Sequence, residues 1–184
     1  MKNFIGNCSS VIDCEALIAA CELVEGNTIL APLEINKDDV FYKEESKETF
    51  DLLETVYKNV TSVKFKHYYP GQHFDQKIVD ELGKFCGVEP LGSFVSKVEP
   101  GFCVPLHKDI MNNYKDLYLK NKLQRFVIFL SKPSFGAGFI LEDEIFYLEE
   151  QGNTYKFPDP HSWHAGFNVG TKSKHLITFT GFLP

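Results

Sequence analysis

Two stretches far apart in the sequence carry the side chains best suited to bind a metal ion. The first, PGFCVPLHKD at residues 100–109, places His107 and Asp109 two residues apart after an apolar run. Alternate residues of a β-strand point to the same face, so both side chains can reach one ion if the strand continues past Leu106. A His-x-Asp tripeptide is common in surface loops, so the assignment needs a further ligand from elsewhere in the chain.

The second stretch, WHAGFNVGTKSKHL at residues 163–176, offers His164, and His161 lies just before it. His164 falls within the apolar alternation of a predicted strand, whereas His161 follows Pro160 in a predicted loop. We therefore predict His164 as the third ligand. The alternatives are that His161 binds instead, or that His164 is a core histidine bonded to a backbone carbonyl.

The predicted ligand set has a definite chemistry. Two imidazoles and one carboxylate on one side of an ion leave three positions of an octahedron vacant. Non-haem Fe(II) centres use this arrangement to bind an organic acid and dioxygen together. We predict His107, Asp109 and His164 as both the metal ligands and the catalytic residues.

The sequence predicts how these residues are positioned. Helical spacing over 11–24, 47–59 and 74–86 predicts three helices, and strands are predicted over 28–32 and 63–69. After Gly92 the pattern changes to short strands separated by Gly and Pro, as in a jelly roll. The predicted strands are Phe94–Val98, Phe102–Leu106, Arg125–Leu130, Phe139–Leu141, Ile145–Leu148, Thr154–Phe157, Trp163–Asn168 and Lys174–Phe182.

These elements predict an α+β fold, mainly β, in which a double-stranded β-helix (jelly roll) carries the N-terminal helices on one sheet. At 184 residues we expect a single domain over 1–184. Its halves are a helical scaffold over 1–91 and a β-helix core over 92–184. The insertion over 110–122 interrupts the strands beside the first two ligands and is predicted to be a lid or substrate loop.

Composition excludes several classes of function. Hydrophobic residues make up 43% and charged residues 24% of the chain, which is ordinary for a globular protein, while aromatic residues are abundant at 14%. A net charge of −6 disfavours binding to nucleic acid or to an anionic membrane. Five cysteines without a C-x-x-C pair favour a reducing compartment, and no signal peptide or membrane span is evident. We therefore expect a cytoplasmic protein.

Over about residues 94–182 the sequence resembles the 2-oxoglutarate- and Fe(II)-dependent dioxygenases, particularly prolyl hydroxylases and aspartyl/asparaginyl β-hydroxylases. The family pattern is His-x-Asp, a later strand that opens with Arg, and then a His followed by Asn four residues on and a cation ten residues on. This sequence supplies them as His107 and Asp109, Arg125, His164, Asn168 and Lys174.

The resemblance implies the fold, the cofactor and two further site residues. Lys174 matches the cation that holds the distal carboxylate of the cosubstrate 2-oxoglutarate. Many relatives have Arg there, followed two residues later by Ser or Thr; here that position is Leu176, and Thr178 is a candidate substitute. Arg125, the only arginine in the chain, matches the residue that helps to hold 2-oxoglutarate or the substrate. A surface ion pair is the alternative for Arg125.

The implied activity is hydroxylation of an unactivated C–H bond with dioxygen. A peptide or protein hydroxylated at Pro, Asp or Asn, a free amino acid, and a small-molecule metabolite are all compatible substrates. Two other functions stay open from the residues alone: a cupin-like metalloenzyme that does not use 2-oxoglutarate, and a non-catalytic β-sandwich binding module. An inward-facing Lys174 would favour the 2-oxoglutarate-dependent enzyme over the cupin-like metalloenzyme, because a cupin needs no cation at that position.

Overall fold

The computed structural model describes residues 3–30, 55, 63–109 and 112–184. The predicted helix over 47–59, apart from Thr55, lies outside the described residues, as do the end of the predicted strand 28–32 and the first two residues of the insertion. The strands are β1 (Phe4–Asn7), β2 (Asn27–Leu30), β3 (Lys64–Tyr68), β4 (Glu89–Val98), β5 (Phe102–His107), β6 (Leu123–Phe129), β7 (Ala137–Leu141), β8 (Glu144–Tyr147), β9 (Asn153–Lys156), β10 (His164–Asn168) and β11 (Lys174–Phe182). The α-helices among the described residues are α1 (Cys14–Glu22), α2 (Gln76–Cys86) and α3 (Lys115–Leu119).

The strands form two antiparallel sheets. The larger sheet has the order β1-β9-β6-β11-β4-β3-β2, and the smaller has the order β5-β10-β7-β8. From β4 onward the chain passes back and forth between the sheets, and β7 and β8 form the one hairpin within a sheet. This winding is that of a double-stranded β-helix, so the predicted fold class is confirmed.

The space between the two sheets is filled mainly by aromatic side chains. Leu176 of β11 and Phe129 of β6 face Phe139 of β7 and Phe146 of β8, and all four are buried. Because alternate residues of a strand point to opposite faces, Lys174, Leu176 and Thr178 share the inner face of the larger sheet. The ligands of any site inside the barrel must come from this face and from the smaller sheet.

The outer face of the larger sheet packs against α1 and α2. Ile177 and Phe179 contribute to this second core, together with Leu17 of α1 and Leu82 of α2. The side chain of Asp13 accepts a hydrogen bond from the backbone of α1, which explains why the helix begins at Cys14 rather than at residue 11. The two described N-terminal helices therefore cover one sheet, as predicted.

The first half of the chain also extends the larger sheet. β2 and β3 lie beyond β4, and β1 pairs with β9 at the opposite edge. The sequence did not predict β1, because four residues that include Gly6 show no useful periodicity. β4 starts at Glu89 rather than at the predicted Phe94, since its pairing with β11 continues to Phe182. None of the described helices has the length and apolar character needed to cross a membrane.

Candidate metal centre

The structure brings the three predicted ligands together at one end of the barrel. His107 is the last residue of β5 and lies opposite His164, the first residue of β10. Asp109 follows two residues after His107. One potential ligand atom from each residue lies within 4.8 Å of the others, so the group could hold a metal ion.

The distances within this group fit coordination of a single ion. Nε2 of His107 lies 3.5 Å from Oδ1 of Asp109, and Nε2 of His164 lies 3.3 Å from Oδ2. Neighbouring ligands of an octahedral ion are separated by about 3 Å when each bond is about 2.1 Å long. The two imidazole rings have centroids 4.2 Å apart.

Backbone carbonyls determine which nitrogen of each imidazole is free to bind. Nδ1 of His107 lies 2.8 Å from the carbonyl oxygen of Pro105, and Nδ1 of His164 lies 2.9 Å from that of Ser162. A carbonyl only accepts hydrogen bonds, so each Nδ1 carries the proton and donates it. The lone pair of each ring is therefore on Nε2, which faces Asp109, and this second contact is typical of metal-binding histidines.

Both imidazoles are neutral at physiological pH. Burial is the main cause that lowers the pKa of His107 to about 4, and burial also lowers the pKa of His164 well below its ordinary value. The positive charge of the nearby Arg125 guanidinium contributes to the lowering of both pKa values. Neutral imidazole is the form that binds a metal, so protons compete weakly for these ligands near neutral pH.

Arg125 is not a surface residue but is buried beside Asp109. It is 1% exposed, and Nη2 donates a hydrogen bond to Oδ2 of Asp109. Its guanidinium also lies over the ring of Phe157, with Cζ 4.6 Å from the centroid. Burial lowers the pKa of Arg125, but the ordinary value of a guanidinium is so high that it stays charged at neutral pH. Among the described residues, Nε and Nη1 have no hydrogen-bond partner.

Lys174 projects into the same barrel interior. It is 6% exposed, and Nζ lies 5.5 Å and 5.8 Å from the ring centroids of Phe129 and Phe139. In the described part of the chain Nζ has no hydrogen-bond partner. Burial lowers the pKa of Lys174 to about 7. An ammonium group in this environment is costly unless an anion binds beside it.

Asn168 positions the start of β11 and thereby Lys174. Its Nδ2 donates to the carbonyl oxygens of Val98 and Lys172, each at 2.8 Å, and its Oδ1 accepts from the backbone of Gly170 at 3.1 Å. Asn168 is completely buried. Its contacts join the end of β4, at Val98, to the connection between β10 and β11, at Gly170 and Lys172.

His161, the alternative ligand, lies outside the three-residue group. Its Nδ1 lies 3.1 Å from the backbone oxygen of Asp109, and its backbone donates to the side chain of Asp159. Tyr118 of α3 donates a hydrogen bond to the same carboxylate at 3.2 Å. The described part of the insertion is therefore attached beside the candidate metal centre, where the sequence predicted a lid or substrate loop.

Sequence reasoning did not identify His67 as a residue of the barrel interior. His67 faces the barrel, and its ring centroid lies 4.3 Å from that of Phe94 on β4. Burial, with a smaller contribution from the nearby His107, lowers the pKa of His67 to about 4. The alternation in VKFKHYY places His67 on the same strand face as Val63 and Phe65, which was the available signal.

No protein-family model matches the sequence, and no curated protein matches it either. Among solved structures, the chain is similar to a viral collagen prolyl hydroxylase from Paramecium Bursaria Chlorella virus-1 in complex with 2OG, with 16% identity, a TM-score of 0.45, and coverage of 88% of this chain and 97% of that one. It is also similar to a predicted oxalate decarboxylase from Thermotoga maritima, with 12% identity, a TM-score of 0.41, and coverage of 65% and 82%.

A third similar structure is the Cnp3 cupin domain of Schizosaccharomyces pombe, with 9% identity and a TM-score of 0.39. The alignment covers 64% of this chain and 64% of that one, so the chain spans less than two thirds of that relative. All three TM-scores lie below 0.5. The strand order, rather than these similarities, defines the fold as a double-stranded β-helix, and the side chains define the candidate site.

Proposed function

We propose that this protein is a 2-oxoglutarate- and Fe(II)-dependent oxygenase that hydroxylates an unactivated C–H bond. The observation that carries the proposal is the buried Lys174 ammonium, which faces the same barrel interior as His107, Asp109 and His164. A metal site alone fits many double-stranded β-helix proteins. Here the metal site shares the barrel interior with the buried Lys174 ammonium, which has no anionic partner among the described residues. This combination suits a ligand that chelates the metal at one end and carries a carboxylate at the other.

The donor set fits Fe(II). His107 and His164 would supply neutral Nε2 atoms and Asp109 a carboxylate oxygen, which is the ligand combination of non-haem Fe(II) oxygenases. Nδ1–H donation to carbonyl oxygens fixes the orientation of both rings before the metal binds. Arg125 holds the Asp109 carboxylate and limits its rotation.

Lys174 would bind the distal carboxylate of 2-oxoglutarate. The rings of Phe129 and Phe139 exclude water from the ammonium, so the ion pair forms in surroundings of low polarity, where it is strengthened. A lysine offers a single point of charge rather than the two-pronged contact of an arginine, so the carboxylate needs further hydrogen-bond donors. Thr178 lies on the same inner face, two strand positions beyond Leu176, and is half-buried.

The remaining donors of Arg125, Nε and Nη1, are available for an acceptor on 2-oxoglutarate or on the substrate near the metal. When bound, Fe(II) and 2-oxoglutarate supply the oxidising chemistry, in which dioxygen, 2-oxoglutarate and a substrate C–H yield succinate, carbon dioxide and C–OH. The protein's own residues orient the two ligands and keep bulk water out.

We also propose that residues 1–184 form a single oxygenase domain that acts in the cytoplasm on a peptide, a protein or a small molecule. The proposal is tested with protein purified without oxygen and loaded with Fe(II). We expect one equivalent of bound iron, and release of succinate when 2-oxoglutarate and oxygen are added. His107→Ala and His164→Ala should lose both iron and succinate formation.

Lys174→Met should retain iron but lose succinate formation, whereas Lys132→Met, at a lysine whose side chain is 72% exposed, should behave as the wild type. Iron retention without 2-oxoglutarate consumption in the wild type would favour the cupin-like alternative. Absence of both iron and succinate would favour the non-catalytic binding module. Full activity of Lys174→Met would contradict the assignment of the cosubstrate.

A further inference from the structure

β8 is an edge strand of the smaller sheet. The sheet has the order β5-β10-β7-β8, and in the described part of the chain β8 pairs with β7 alone. Alternate residues of an edge strand direct their N–H and C=O groups away from the neighbouring strand. These groups are a template on which another extended chain can pair.

The opposite edge of this sheet, β5, lies beside the larger sheet. Val63 forms a bridge with Cys103 of β5, and Leu30 at the end of β2 lies opposite Lys64 of β3. The described residues that flank 31–62 are therefore at the β5 edge. β8 is on the far side of the sheet from them.

The outward side chains of β8 are apolar and exposed. Ile145 is 69% and Tyr147 is 44% exposed, whereas Phe146 between them is buried in the core between the sheets. Ile145 lies opposite Ile140 of β7, and Tyr147 lies opposite Gly138. An apolar stripe therefore runs along the outside of the β7–β8 hairpin, next to the free edge.

Two loops extend this stripe at the end of the hairpin that is far from the metal ligands. The backbone N–H of Gly136 donates to Tyr147 Oη at 3.3 Å, and the carbonyl oxygen of Gly136 accepts from the backbone N–H of Val169 at 2.8 Å. Val169 and Phe135, the residue before Gly136, are both exposed. Contiguous exposed apolar side chains of this kind mark a binding surface. We call Phe135, Ile140, Ile145, Tyr147 and Val169 the outer patch.

The hairpin that carries the outer patch is strongly acidic. Residues 133–155 contain no lysine, arginine or histidine and five acidic residues, which are Glu142, Asp143, Glu144, Glu149 and Glu150. The formal net charge of the whole chain is −6, so this segment accounts for most of it. All of these carboxylates except Glu149 are exposed. The first three lie where β8 begins, and the other two follow just after it ends.

Charge and shape together define what fits this edge. A second copy of the chain would bring an equally acidic hairpin to the edge, and like charges would oppose the pairing. An extended segment with apolar residues at its centre and lysine or arginine at both ends would complement the outer patch and the two acidic ends of β8.

We propose that β8 binds such a basic, apolar segment of a partner protein, which adds to the smaller sheet as a further strand. Backbone hydrogen bonds along the edge supply affinity, and the flanking charges and the outer patch supply specificity. β8 lies on the outside of the barrel, so this binding requires neither metal nor 2-oxoglutarate.

The test titrates the full chain into a fluorescein-labelled peptide, Lys-Lys-Val-Thr-Ile-Lys-Lys-amide, and follows fluorescence anisotropy. We expect binding that weakens as salt is added, because the flanking charges are exposed. A peptide with Glu in place of every Lys should not bind. A peptide with Ser in place of Val and Ile keeps the charge and should bind about tenfold more weakly, since it loses the contacts with the outer patch.

Two protein variants test the edge, each with a matched control elsewhere on the surface. Ile145→Lys should weaken peptide binding about tenfold, because it replaces an apolar contact with a like charge. Leu23→Lys makes the same change at an exposed leucine at the end of α1 and should bind as the wild type. The Asp143→Asn, Glu144→Gln double variant should weaken binding about fivefold. The Asp80→Asn, Asp116→Asn double variant removes the same charge elsewhere and should have little effect.

Hydrogen exchange shows where the peptide lies. Exchange of the β8 amides should slow in the complex, while exchange in β2, an edge strand of the larger sheet, should not change. Equal affinity of Ile145→Lys and wild type, equal binding of the acidic peptide, or unchanged exchange in β8 would overturn the proposal.

Two further results would assign the edge to another occupant and overturn the proposal as well. β8 amides that are already protected in the free protein would show that another segment of the same chain covers the edge. A dimer in sedimentation that Ile145→Lys converts to a monomer would show that a second copy does.

Discussion

Arg125 and Asp109 form an ion pair at the candidate metal centre, in which the arginine is buried and the aspartate is half-buried. The two residues are 16 positions apart, and Arg125 lies in the middle of the larger sheet. The pair therefore links a predicted metal ligand to an interior strand of the larger sheet. It also makes the stability of the apoprotein depend on Asp109.

Asp109→Ala should destabilise the metal-free protein, because it leaves the Arg125 charge buried and unpaired. We expect the free energy of unfolding to fall by about 3 kcal/mol. The Arg125→Met, Asp109→Ala double variant should be more stable than Asp109→Ala alone, since it removes the buried positive charge that has lost its partner. Urea unfolding in the presence of a chelator measures this.

Asp143→Ala is the matched control for this experiment. Asp143 is exposed in the turn between β7 and β8, so its removal should change stability by less than about 0.5 kcal/mol. A double variant that is no more stable than Asp109→Ala would show that loss of the carboxylate does not leave Arg125 as a costly unpaired charge. The contact between Arg125 and Asp109 would then not hold Asp109 in place.

Lys174→Met should stabilise the apoprotein while abolishing 2-oxoglutarate binding. The folded-state pKa of Lys174 is lowered to about 7, below its value in the unfolded chain, so the unfolded state binds more protons between these two values. Wild-type stability should therefore rise as the pH increases from about 7 towards 10.5, the ordinary value for lysine. Lys174→Met should lack this rise and gain on the order of 3 kcal/mol at pH 7.

The measurement is chemical unfolding of both proteins across this pH range, with no metal or 2-oxoglutarate present. Lys132→Met should retain the wild-type pH dependence, since Lys132 is exposed. Equal stability of wild type and Lys174→Met at every pH would show that the ammonium is already paired in the apoprotein.

The affinity for 2-oxoglutarate should weaken as the pH rises above about 7. The distal carboxylate binds the protonated form of Lys174, and its charge raises the pKa of that ammonium in the complex. When the pH exceeds about 7, the pKa of Lys174 in the unliganded protein, binding of 2-oxoglutarate must therefore take up one proton. The affinity should then fall by up to tenfold per pH unit.

Calorimetric titration of Mn(II)-loaded protein in two buffers of different ionisation enthalpy measures this proton uptake. Uptake should be small at pH 6 and should approach one proton per 2-oxoglutarate at pH 8. A Lys174→Arg variant, whose charge does not titrate in this range, should show no uptake if it binds. Uptake that does not depend on pH in the wild type would contradict a titrating Lys174.

Asn168→Ala should destabilise the protein and impair 2-oxoglutarate binding through Lys174. Truncation leaves the carbonyls of Val98 and Lys172 without their donor, at an expected cost of about 2–3 kcal/mol. Thermal unfolding measures the loss, and 2-oxoglutarate titration measures the effect on the site. Val169→Ala, at a neighbouring side chain that is 78% exposed, should be nearly neutral. A stable Asn168→Ala with normal affinity would contradict this positioning role.

The His-x-Asp tripeptide shows how far local sequence could predict the site. His73, Phe74 and Asp75 form the same tripeptide as residues 107–109. The Nδ1 atom of His73 instead accepts from the backbone of Tyr69, and Asp75 caps α2 by accepting from Lys77. The tripeptide alone therefore does not identify a metal site; residues 107–109 differ in following an apolar strand and in being accompanied by a distant His and a cation.

The sequence by itself determined the strand periodicity of the barrel, the spacing of the three candidate ligands and the placement of Lys174 at a strand start. These follow from alternation along single strands, which is a local property. Only the tertiary structure decided the pairing of β1 and the contact between Arg125 and Asp109. It also decided the exposure of His67 to the barrel rather than to solvent. Each of these features depends on which distant strand packs beside the residue in question. That choice is determined by the burial of a core shared by many segments, and it cannot be read from any single segment.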